Sequence, residues 1–160
     1  MYSRTLLLAA LASSQLAAGE TFIGRGQLRT LWNEGDHEDL GCLTDTGLWT
    51  TNEALCGTFT GTALDVSTLR TFTLSTATGP CTILGAQFTC GQGNEPAWFG
   101  IYVWPNAIPD KDCLRYGQYG LMASRAEGGG PPAPDQDPIE INFSSYSEKG
   151  KWVWVTWKAL

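Results

Sequence analysis

Acid–base chemistry in this chain would have to begin at one place, because His37 is its only histidine. Four carboxylates surround it in "NEGDHEDLG": Glu34, Asp36, Glu38 and Asp39. Paired carboxylates are what glycoside hydrolysis needs, one protonated and one ionised on either side of a substrate. Acidic residues crowded on one turn point into water instead, so this stretch reads as a solvated turn. A carboxylate-dependent, glycan-active enzyme is therefore the competing reading and not the leading one. Oxygen ligands for calcium exist in "EGDHED", but without the ordered spacing of a calcium loop.

Other reactive groups are no better supplied. No G-x-S-x-G motif is present, and "EGGGPP" lacks both the G-K-[ST] ending and the following helix of a phosphate loop. The five cysteines are Cys42, Cys56, Cys81, Cys90 and Cys113. They form no C-x-x-C pair and have one histidine for company, which argues against a zinc site. No metal and no cofactor is expected. "NFS" makes Asn142 a candidate glycosylation acceptor, usable only if it is exposed.

The remaining chemistry is aromatic. "KWVWVTW" near the C-terminus holds Trp152, Trp154 and Trp157. In a β-strand side chains alternate, so Val153, Val155 and Trp157 share one face and Trp152, Trp154 and Thr156 the other. The first face has no polar member and reads as core. Trp152 and Trp154 are expected on the opposite face, at least partly exposed, as the ligand-binding candidates. Such a strip suits a sugar ring or a partner protein, unless another layer covers it. In "AWFGIYVWP", Tyr102 and Trp104 share one face while Phe99, Ile101 and Val103 share the other, and at least one of these faces should be core.

Helical periodicity is almost missing from the elements that must position these residues. Short runs rich in Thr, Phe, Val, Tyr and Trp recur between Gly, Asn, Asp and Pro. In "RTFTLST", Phe72 and Leu74 fall on one face while Thr71, Thr73 and Thr76 stay near water, the mark of a half-buried antiparallel strand. The fold class is all-β, an antiparallel β-sandwich or small barrel. "RAEGGGPPAPDQDP", residues 125–138, cannot be strand or helix and reads as a Gly/Pro-rich surface loop within one domain spanning 19–160.

Residues 1–18 carry Arg4, an apolar run from Leu6 to Leu11 and small residues at Ala17 and Ala18, the order of a secretory signal peptide. No later stretch approaches the ~20 apolar residues of a membrane span. A secreted protein is expected, extracellular or at the cell wall, with most cysteines paired. Ten basic residues face sixteen acidic ones, and loss of Arg4 leaves nine. An acidic chain with scattered basic residues makes a nucleic-acid partner unlikely on charge grounds, since that affinity comes from Lys and Arg displacing counterions.

"GCLTDTGLWTTNEALCGTFTG" followed by "FTLSTATGPCTILGAQFTC" resembles the C-terminal, non-catalytic domain of fungal ribonuclease T2 proteins. The matching features are Gly41-Cys42-Leu43, Gly47, Trp49, Cys56 with Thr58-Phe59-Thr60, then Phe72 to Leu74, Gly79, Cys81, Phe88 and Cys90. The similarity is dense from about Gln27 to Gly91, whereas Cys113 and the loop 125–138 look like departures. Local pairing, Cys42 with Cys56 and Cys81 with Cys90, fits two hairpins and agrees with the resemblance, though four cysteines allow three pairings. Cys113 is then the free thiol. The family's catalytic domain uses an H-G-L-W-P motif; "TGLWTT" echoes it with Thr46 in place of the histidine, and a two-histidine mechanism has no second member. The resemblance implies a disulfide-bonded domain without ribonuclease activity. Binding to a cell-wall polysaccharide or an extracellular protein is the expected role, and an effector-like structural protein without a small ligand is the remaining alternative.

Overall fold

Alternating apolar residues set up the strands, and the computed structural model shows how they close. It describes residues 21–65, 67, 70–102, 108–124, 130–143 and 151–160. The signal-peptide expectation and Trp104 lie outside those residues, as does the first part of the 125–138 loop. In chain order the strands are β1 (Gly24–Trp32), β2 (Asp39–Leu43), β3 (Trp49–Thr50), β4 (Phe59–Ala63), β5 (Thr71–Thr76) and β6 (Gly79–Leu84). They continue as β7 (Gln87–Cys90), β8 (Phe99–Tyr102), β9 (Cys113–Arg115), β10 (Leu121–Ser124), β11 (Ile141–Phe143) and β12 (Val153–Ala159). A 3-10 turn spans Glu53–Leu55, and no α-helix occurs among the described residues. No helix there is long and apolar enough to cross a membrane.

Of the two all-β forms, the chain takes the closed one. Antiparallel pairing runs β1–β4–β5–β6–β7–β11–β10–β12 and returns from β12 to β1, a ring of eight strands. β8 and β9 span the same gap from the other end of the wall, since Thr71 and Phe72 of β5 pair with β8 and Thr156 of β12 pairs with β9. β2 and β3 form a flap on β1. Closure removes the open strand edges that would otherwise invite pairing with other chains. The β6–β7 hairpin turns through Gly85 and Ala86, with Gly85 at φ 67°, a left-handed conformation that a side chain would strain.

Inward residues fill the barrel with rings. Phe22 stacks on Phe72 at 5.1 Å and leans on Trp157 at 5.6 Å, while Phe88 and Phe99 meet at 5.7 Å. Leu28, Val153, Val155 and Trp157 complete this core from the β1–β12 pair. Each large aromatic buries enough apolar surface to contribute roughly 2–3 kcal/mol from the hydrophobic effect.

β12 departs from the expected one-faced strand: Trp152 through Trp157 are all buried. Trp152 and Trp154 are each 5% exposed, so the platform expected of them does not form. For Trp154 the reason is a second, smaller core outside the barrel wall. Leu31, directly opposite Trp154, joins Ile108, Cys113 and Trp154, with Tyr102 and Leu121 packed against them. The Tyr102 ring meets the Trp154 ring at 5.1 Å. The cover comes from β1 and the segment around β8, β9 and β10.

Candidate functional site

Cysteine placement follows the strands. Cys81 and Cys90 sit opposite one another in the β6–β7 register and are bonded. Cys42 in β2 is bonded to Cys56, just after the 3-10 turn. Cys113 is a buried free thiol in the second core, and burial pushes its pKa up to about 11. A thiol so buried and so weakly acidic is a packing residue and not a nucleophile.

The acidic turn is tied up structurally. The Arg29 guanidinium, 8% exposed, donates to both Asp39 oxygens at 3.0 and 2.9 Å and to Glu53 Oε2 at 2.9 Å. Its Nη1 also reaches Cys56 Sγ at 3.3 Å. Hydrogen bonding to Arg29 holds the Glu53 carboxyl below the ordinary range, and the paired carboxylates raise the already high pKa of Arg29. Asp39 thus clamps a fold. His37 Nδ1 lies 2.9 Å from the Trp32 carbonyl, to which it donates in the matching tautomer, and Glu34, Asp36 and Glu38 stay in water. Among the described residues no group of three or more metal-ligating side chains comes together.

Asn142 is also corrected. It lies in β11, 4% exposed, with neither amide atom hydrogen-bonded. A glycan on that nitrogen has no room once β11 is paired to β10 and β7, so the acceptor role fails on the exposure it required.

The aromatic surface lies elsewhere. Trp98 is 70% exposed, the most exposed of the large hydrophobic side chains among the described residues. It stands immediately before β8, next to the buried Phe99. Gly100 follows on the same side of the strand as Trp98 by alternation. Gly100 pairs with Thr71 of β5 and with Arg115 of β9. Arg115 lies across Gly100: a Cβ there would come within 3.0 Å of Nη2 and 3.2 Å of Nε. Hydroxyls extend the face. Phe72 and Leu74 point inward, which leaves Thr71, Thr73 and Ser75 outward, and Thr62 and Thr60 of β4 stand opposite Thr73 and Ser75. The result is an exposed indole beside a guanidinium and a field of hydroxyls.

Trp98 enters the sequence reading only as part of the aromatic run of which Phe99 and Tyr102 are members. Its signal is the preceding Asn94-Glu95-Pro96, which keeps the chain out of the sheet until Phe99 and leaves Trp98 without covering neighbours. Arg115 gives no sequence signal, because only the β8–β9 register brings it over Gly100.

The family described as RNase T2-like C-terminal domain matches residues 20–105. No curated protein and no solved structure matches the chain. The matched stretch carries both disulfides, the Arg29 clamp and Trp98, while Arg115 and the strands from β9 onward follow it. With more than half of its 160 residues matched, the chain belongs to the RNase T2-like C-terminal domain family.

Proposed function

We propose that the chain is a secreted, non-catalytic binding module that works at the cell wall or elsewhere outside the cell. Its ligand in this reading is a polysaccharide, held on the outer face of β4, β5, β8 and β9. The observation that carries it is Trp98, 70% exposed on a sheet face otherwise lined by hydroxyls. An indole stacks on the apolar face of a pyranose, and hydroxyls exchange hydrogen bonds with those of the sugar. Trp is enriched at binding surfaces because one ring supplies a large apolar area together with an N–H donor. Hydrolysis is not part of the proposal: Asp39 is occupied by Arg29, and His37 is directed at a backbone carbonyl.

The test is retention of the protein on insoluble or gel-immobilised polysaccharides, with released reducing ends and RNA breakdown measured in parallel. Binding that drops at least about tenfold in Trp98→Ala supports the reading. Retention unaffected by that substitution, or release of sugar or nucleotide products that vanishes in His37→Ala, defeats it.

A further inference from the structure

Charge is not evenly spread over this barrel. The chain holds sixteen acidic and ten basic residues, a net −6, yet β4, β5, β8 and β9 contain no Asp or Glu. Arg115 is the one charged residue in those four strands. Arg25 of β1 continues the same face, standing opposite Thr60. The acidic groups of the neighbouring connections are Asp65, Glu95, Asp110 and Asp112. Asp65 accepts from Ser67, and burial raises the Asp112 carboxyl while Arg70 opposes that rise. Glu95 and Asp110 stay exposed in their loops. The strands of the wall carrying Trp98 therefore present guanidinium groups and no carboxylate, and the acidic groups sit in the loops at its margin.

Arg115 is also unspent. It is exposed, and among the described residues no carboxylate pairs with it. By contrast Arg29, on another part of the same barrel, is saturated by two carboxylates. Glycine at position 100 is what lets the Arg115 fork lie down on the sheet. A planar guanidinium offers two parallel donors that match a carboxylate, a geometry that a neutral hydroxyl pair uses less fully.

We propose that the face formed by Trp98, Gly100 and Arg115 recognises the uronate units of an acidic polysaccharide, with the indole on the sugar ring and the guanidinium on its carboxylate. This deepens the polysaccharide reading above and rests on it. The outward hydroxyls of Thr71 and Thr73 take the ring hydroxyls. Long-range repulsion from the net negative charge decays within a Debye length of about 8 Å at physiological salt, which leaves the guanidinium of Arg115 to govern contact with a carboxylate laid on the sheet. RNA has phosphates for Arg115 but finds no continuous basic track here, so it is not the ligand.

Titration calorimetry on the full chain at physiological salt separates the cases, using an oligogalacturonate, a neutral β-glucan oligosaccharide of equal length and a single-stranded RNA. The expected result is at least about tenfold tighter binding to the oligogalacturonate than to the glucan. Arg115→Gln should abolish that preference while leaving glucan binding nearly unchanged, and Trp98→Ala should weaken both. Gly100→Ala lifts the guanidinium without removing its charge and should also reduce the preference. Thermal melts identify any variant that fails to fold, and Gly100→Ala and Arg115→Gln serve as independent checks on one another. Equal affinity for the two glycans, a preference that survives Arg115→Gln, or RNA binding as tight as oligogalacturonate overturns the proposal while the wider polysaccharide reading stands. Absence of binding to either glycan ends both.

Discussion

At the residue scale, tryptophans of similar sequence setting take opposite roles. Trp154 and Trp157 belong to one strand and opposite faces, yet both are structural, because each face meets its own core. Replacing either by alanine should cost about 3–5 kcal/mol in urea unfolding, as large core truncations do. Trp98→Ala should change stability by less than about 0.5 kcal/mol, since its ring faces water. Asn142 gives the reverse sign. Its amide is buried with both polar atoms unpaired, so Asn142→Leu should stabilise by about 1 kcal/mol, and the intact mass of the protein expressed through a glycosylating secretory host should show no N-glycan at this position. A stabilised variant argues for the burial; a glycan found on Asn142 argues against it. Cys113, with its thiol pushed up to about 11, should resist iodoacetamide at pH 7.5 in the native protein and react once denaturant opens the second core.

Elements were legible where their partners are near in sequence. The alternation of Phe72 and Leu74 against Thr71 and Thr73 announces β5, and the β6–β7 hairpin places Cys81 opposite Cys90 through a two-residue turn. The Arg29 clamp was not legible, because it joins β1 to Asp39 and to Glu53, residues separated by 10 and 24 positions. Its consequence is testable with pH. The Glu53 carboxyl is depressed in the fold by Arg29, so its contribution is present above the unfolded carboxyl value and fades as pH falls through the lower folded value. Glu53 is 65% exposed, so screening limits the contribution to under about 1 kcal/mol. Urea midpoints measured between pH 6 and pH 3 should fall more steeply in the native protein than in Glu53→Gln. Parallel slopes would mean that the ion pair does not form in solution.

For the whole molecule, closure is what the sequence could not display. The β-character is written in each strand, but the return of β12 to β1 joins residues more than a hundred positions apart, as in Leu28 against Trp157. The same non-local packing covers Trp154 with Leu31, Ile108, Cys113 and Tyr102 and so removes the platform that local alternation predicts. It also assembles the other face, where β5, β8 and β9 bring Thr71, Gly100 and Arg115 into one row. A barrel so closed holds its wall rigid, and a rigid wall can present an indole and a guanidinium at fixed spacing with little ordering lost on binding. The most direct measurement of this account is a titration of the 15N-labelled protein with oligogalacturonate, read at the tryptophan indole N–H signals. The Trp98 signal, assigned by its loss in Trp98→Ala, should shift with saturation, while those of Trp49, Trp154 and Trp157 stay in place. Binding that leaves the Trp98 signal still, or that moves the buried indoles instead, would contradict the account.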